Sequence, residues 1–246
     1  MISRLMSGLL IVMALWNAPL FGQDKADYQT ELEELNQLLE EYPALIPNVL
    51  SSVKEFFRQR NEHLALMQKH EGWLFNNDRT HPWYGAENGS LPVVVITDYD
   101  CPYCKRLEPH LQRLVAEFPQ VKVINVMVPI RQQNVQGGRL NPANFALNVW
   151  QNQPNQFADV HRLLYEQNGL HTAQSLEKIA RQTGTRSQLT SARATASVIE
   201  QNHRVFSDFQ LRGTPAIIMG PLIIPGYVDY DDLKAAVTNL LANQTP

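Results

Sequence analysis

This chain of 246 residues has two cysteines, three positions apart in Cys101-Pro102-Tyr103-Cys104, directly behind an apolar run. That spacing restricts both the local fold and the chemistry. If Cys101 opens a helix, Cys104 falls one turn further along the same face, within reach of a small disulfide ring. The first sulfur then lies beside helix amides that lack an intrahelical partner, and those amides and the helix dipole favour its thiolate. The thiolate is the form that attacks disulfides.

The flanks place the motif. Leu91-Pro92-Val93-Val94-Val95-Ile96-Thr97, bounded by Asn88-Gly89-Ser90, reads as a buried strand, and Asp98-Tyr99-Asp100 reads as the turn after it. From Lys105 the pattern turns helical, with Leu107, Leu111, Leu114 and Val115 on one stripe up to Pro119. A strand, a CxxC and a helix in that order are the context of a redox motif. Structural zinc takes four Cys or His ligands, and the seven histidines offer no closely spaced pair to complete such a site. His110 reads as a helix-surface residue. Binding of copper(I) by the two soft sulfurs stays open as an alternative.

The N-terminus speaks to compartment. Arg4, the apolar residues 5–16 and the exit 17–22 make a cleavable secretory leader; as an uncleaved anchor the run falls short of the ~20 apolar residues a span needs. An exported chain would gain little stability from so small a ring, because the gain from a cross-link grows with loop length. A net charge of −3 and the lack of a basic run give no argument for nucleic acid, so the expected partners are proteins.

Far downstream, Arg212-Gly213-Thr214-Pro215 precedes Ala216-Ile217-Ile218-Met219, a strand candidate with proline where a strand tolerates it. An X-Pro bond can be cis, which would leave the Thr214 backbone available to an extended peptide.

Taken together, Asp98-Tyr99-Asp100-Cys101-Pro102-Tyr103-Cys104-Lys105-Arg106 and Gly213-Thr214-Pro215, followed by a short hairpin and helix, resemble the DsbA-like thiol–disulfide oxidoreductases, in the branch related to ScsC. The resemblance covers 83–241. It implies an α/β thioredoxin fold with an inserted helical domain, in addition to an N-terminal helical extension. On that plan 121–129 is a second strand and Gly137-Gly138 breaks the pattern. Asn141-Pro142 opens a helix, Phe157, Val160 and Leu164 mark another, and Thr172 caps a third that stops at Gly184. Residues 188–209 lead back to Thr214-Pro215, Leu222-Ile223-Ile224 is the last strand, and Asp229 caps a final helix. The expected division is 1–22 leader, 23–80 N-terminal helical region, and 81–246 redox domain with its insertion at 139–209.

The resemblance also implies roles. Cys101, the better exposed sulfur, is the nucleophile, and Cys104 resolves the mixed disulfide. Pro102 and Tyr103 tune the couple, while Thr214 and Pro215 contact the substrate backbone. Tyr99 either packs or borders the groove. No cofactor and no metal is implied. The implied partners are cysteine-containing exported proteins and a membrane redox partner that resets the CxxC, in the periplasm. Pro and Tyr inside the motif, with Thr before the later Pro, match the isomerase DsbG and favour isomerase or reductase activity over oxidase. A chaperone-like binder is the remaining alternative. One departure stands out: relatives often carry Glu six residues before the first Cys, where this chain has Val95. Asp98 reads as a turn residue.

Residues 26–70 lie outside the redox core. Leu32, Leu35, Leu38 and Leu39 make one amphipathic stripe; Leu50, Val53, Phe57, Leu64 and Met67 make a second at alternating three and four spacing. These helices either pack on their own chain or associate with a second copy, as N-terminal segments do in relatives of the ScsC type.

Overall fold

The computed structural model describes residues 28–75, 79–134 and 140–242. The expected leader and the Gly137-Gly138 break lie outside the described residues. Those described form two compact units, one of residues 28–57 with 235–242 and one of residues 58–234.

In the first unit, α1 (Gln29–Glu41) carries the leucine stripe and ends at Tyr42, because the residue before Pro43 is pushed out of helical geometry. A 3-10 turn at Pro43–Leu45 leads into α2 (Ile46–Leu74). No residue of α1 is buried. Leu32, Leu35, Leu38, Leu50, Val53 and Phe57 all stand exposed.

The second unit is built on a five-stranded sheet of β1 (Trp83–Gly85), β2 (Leu91–Thr97), β3 (Val121–Met127), β4 (Ala216–Met219) and β5 (Leu222–Pro225), in the order β1-β3-β2-β4-β5. Only the β2/β3 pairing is parallel. Pro92 is tolerated inside a central strand for a local reason. Leu91 N–H donates to Gln120 toward β3, so Pro92 faces the opposite side, where pairing with β4 begins only at Val94.

One face of the sheet, with Val94, Ile96, Ile124, Val126 and Ile218, is buried against Leu74 of α2, Val205 of α7 (Arg193–Asp208) and the adjoining Phe209. Asp208 anchors that side by accepting from Lys69 (2.6 Å) and meeting His70 Nε2 at 2.8 Å, and Trp73 Nε1 donates to Asn202 at 2.9 Å. The helix that carries the CxxC, α3 (Pro102–Glu117), buries Leu107, Leu111 and Leu114.

The chain between β3 and β4 forms the insertion: α4 (Pro142–Asn152), α5 (Phe157–Glu166), α6 (Ala173–Gln182) and α7. Its starts and stops are local. Asn141 Oδ1 accepts from Asn144 N–H at 2.8 Å, and Thr172 forms a reciprocal capping box with Ser175. Gly184 ends α6 at φ +69°, a conformation glycine enters without cost. Apolar residues of the insertion, among them Phe145, Leu147, Val160, Leu164 and Leu176, share one core with Tyr99, Cys101, Cys104 and Met127. The last helix is α8 (Tyr230–Ala242). Asp229 stands at its start with its carbonyl accepting from Leu233 and its carboxylate accepting from Tyr227 at 2.8 Å. This is the α/β arrangement with a helical insertion and an N-terminal helical extension that the resemblance implied.

Candidate active site

β2 delivers the chain into a turn that Asp98 organises. Its Oδ1 accepts from Asp100 N–H (2.9 Å), and its Oδ2 accepts from Ile130 and Arg131 N–H (3.0 and 2.9 Å) just after β3. Cys101 N–H donates to the Asp98 carbonyl at 3.0 Å, and Cys101 then becomes the N-cap of α3, with Pro102 as the first helical residue. Asp100 Oδ1 accepts from His171 N–H at 2.7 Å, and Lys105 Nζ donates to the Gln167 and Gly169 carbonyls at 2.6 and 2.8 Å. The motif is thereby tied to the insertion. Burial raises the pKa of both carboxyl groups and lowers that of Lys105.

Both cysteines are free thiols. Cys101 is only 5% exposed against 2% for Cys104, so the difference expected between them is small. The downstream motif reaches them: Thr214-Pro215 is cis, and the Cys101 thiol donates to the Thr214 carbonyl at 3.1 Å. Thr214 Oγ1 is buried beside the sulfur, and the Thr214 side chain favours the Cys101 thiolate.

The two sulfurs are electrostatically unlike. Hydrogen bonding from Cys104, reinforced by Thr214 and by the Cys104 and Tyr103 amides, outweighs desolvation and pulls Cys101 down to about 5. Burial, helped by the charge on Cys101, pushes Cys104 well above the ordinary thiol value. At neutral pH this difference favours a thiolate at Cys101 and a protonated thiol at Cys104.

Across 77–239 the chain matches the family model described as thioredoxin. It belongs to the thioredoxin family. A periplasmic thioredoxin-like protein from Salmonella enterica serovar Typhimurium is 33% identical, over 70% of this chain and 95% of that one, with a TM-score of 0.64. The catalytic domain of ScsC from Proteus mirabilis is 29% identical over 72% of this chain and 98% of its own, at a TM-score of 0.66. Disulfide bond formation protein D of Bacillus subtilis is 27% identical over 174 residues, 63% of this chain and 75% of that protein. The chain is a thiol–disulfide oxidoreductase of this family.

Around the cysteines the structure gathers motif residues and others that no short motif marks. Tyr103, 53% exposed, lies near the ring of Tyr227, and the Arg106 guanidinium sits 4.4 Å above that ring. Tyr99 is fully buried and packs; its hydroxyl meets His161 Nδ1 at 2.7 Å, and His161 Nε2 lies 3.1 Å from Glu108. Thr97, at the end of β2, meets the Tyr165 hydroxyl of α5 at 2.6 Å. His110 is half-buried between the rings of Tyr227 and Tyr230, not a plain surface residue. Among the described residues, no three His, Cys, Asp or Glu side chains are gathered as a metal site. No described helix is long and apolar enough to cross a membrane.

Proposed function

We propose that this thioredoxin-family chain is exported by the leader 1–22 and exchanges disulfides with cysteine-containing proteins through Cys101 and Cys104. Cys101 attacks a substrate disulfide, and Cys104 resolves the mixed disulfide. Pro102 and Tyr103 set the packing and dipoles over Cys101, while Thr214 and Pro215 hold the substrate backbone beside it. The observation that carries this reading is geometric: two free cysteines one helical turn apart at the start of α3, with the carbonyl of the cis Thr214-Pro215 pair 3.1 Å from the Cys101 sulfur. The periplasmic description of the Salmonella relative supports the compartment.

Isomerase or reductase work is the favoured direction, on the match of the Pro-Tyr dipeptide and Thr214-Pro215 to DsbG. A membrane redox partner keeps the pair in its working state. Residues 23–80 form the association region and 81–246 the redox domain. The exposed leucine stripe of α1 and the apolar positions of the first half of α2 support pairing with further copies of this chain.

The test is the redox equilibrium of the pair in glutathione buffers, read by thiol alkylation and mass, together with insulin reduction and refolding of a scrambled disulfide protein. A potential near about −120 mV marks an oxidase, or an isomerase held reduced by its partner, and one near about −270 mV marks a reductase. Loss of all activity in Cys101→Ser is expected. A pair that closes no internal disulfide at any poise removes the reading.

A further inference from the structure

Resolution needs the Cys104 proton to leave a site that is 2% exposed. The position where relatives often carry an acid is Val95, itself buried. Asp98 is the nearest acid in sequence, but its two oxygens already accept from three backbone amides. Asn125, paired in register with Val95, has no titratable proton to give or take.

A different pair of groups does reach the sulfur. Cys104 and Tyr165 lie in one buried cluster, hydrogen bonding from the Thr97 side chain favours the Cys104 thiolate, and the Thr97 and Tyr165 hydroxyls are 2.6 Å apart and buried. Tyr165 in turn lines a cleft of about 790 Å³, between α3, α4 and α5, whose wall also includes Trp83, Glu108 and Phe157. The Tyr165 ring is held between Tyr99 and His161, at 4.7 and 4.9 Å between centroids, and those two are locked by the Tyr99–His161–Glu108 contacts. A hydroxyl can accept one proton while donating its own, so two of them in line carry a proton without either ionising.

We propose that the hydroxyls of Thr97 and Tyr165 are the path by which Cys104 exchanges its proton with water in the cleft, the task left open by Val95. This rests on the reading of Cys104 as the resolving thiol. In the forward step the Cys104 proton passes to Thr97 Oγ1, the Thr97 proton to Tyr165 Oη, and the Tyr165 proton to water. The Cys104 lone pair forms the bond to Cys101 sulfur. The bond from Cys101 to the substrate sulfur breaks, and that sulfur leaves with the electron pair and takes a proton from solvent. The substrate disulfide is reduced by two electrons and the dithiol is oxidised. Run backwards, the same path returns a proton to Cys104.

The experiment mixes the reduced full chain with oxidised glutathione, quenches with acid, and follows the mixed disulfide by mass. Tyr165→Phe removes the outer hydroxyl and leaves Cys104 untouched. Formation of the mixed disulfide is expected at the parent rate and its resolution slowed about tenfold or more, within the range of lost proton-transfer catalysis. A path changes rates in both directions equally, so the equilibrium constant against glutathione should hold to within about twofold. Thr97→Val should slow resolution as well, and Thr97→Ser should restore it. Resolution at the parent rate in Tyr165→Phe overturns the path, and so does a slowing matched by an equal shift in equilibrium, which marks a structural disturbance. Should the mixed disulfide of the parent chain form and persist with no internal disulfide closing, the resolving role of Cys104 falls, and the path with it.

Discussion

Cys101 is the group in the motif whose pKa is pulled lowest. With its pKa at about 5, thiolate absorbance at 240 nm in the reduced chain should rise with a midpoint near pH 5 and be lost in Cys101→Ser. A midpoint in the ordinary thiol range would contradict the cradle of Thr214 and α3 amides. Asn125 supplies a second test. It is fully buried in β3, and among the described residues neither amide atom of its side chain has a partner. Asn125→Val should therefore stabilise the chain, by about 1 to 3 kcal/mol in urea unfolding, the cost of an unsatisfied buried polar group. The cysteine pair was legible in the sequence because its members are three residues apart and their spacing alone fixes a shared helix face. Thr97 and Tyr165 stand 68 positions apart, on a strand and a helix of the insertion, and nothing local marks either as the other's neighbour. Tyr99 left two readings open in the sequence, and only its contact with His161 decides for packing.

Elements were readable where their signals are local. Asn141-Pro142, Thr172 and Gly184 announce helix ends through their own backbone chemistry, and the β-branched run of β2 announces a buried strand. Other features were not readable, because they depend on chain far away. Asp98 looks like any turn acid in sequence, yet its carboxylate collects the Asp100 amide of its own turn and two amides from the exit of β3. Asp98→Ala leaves those donors without their acceptor and should cost about 3 kcal/mol or more in urea unfolding, given that bonds to charged acceptors are worth roughly 1.5 to 3 each. At α1 the prediction concerns assembly. Leu32, Leu35 and Leu38 are each between 43% and 52% exposed, so replacing Leu35 and Leu38 with Glu removes nothing from an internal core. Light scattering should show a smaller particle for that variant than for the parent; an equal mass would sink self-association through the stripe.

For the molecule as a whole, the depressed Cys101 pKa ties stability to redox state. The group is lowered on folding, so the reduced form holds its full benefit above the unfolded thiol pKa of about 8.5 and loses it as pH falls through about 5. The oxidised form has no such group. Unfolding of both forms in urea should therefore show the reduced chain gaining on the oxidised one between about pH 5 and pH 8, below the range where the raised Cys104 pKa begins to favour the unfolded chain, and a gap independent of pH would refute the linkage. The ties from Asp100 to His171, and from Lys105 to Gln167 and Gly169, have a different sort of consequence. They join side chains of the strand–motif–helix segment to main-chain atoms of the loop between α5 and α6. An insertion borrowed from another member of the family would bring its own loop, and unless that loop offered an amide and two carbonyls in the same places, the motif would lose its bracing. Insertion and motif are thus expected to be inherited as a unit, not exchanged as separate parts.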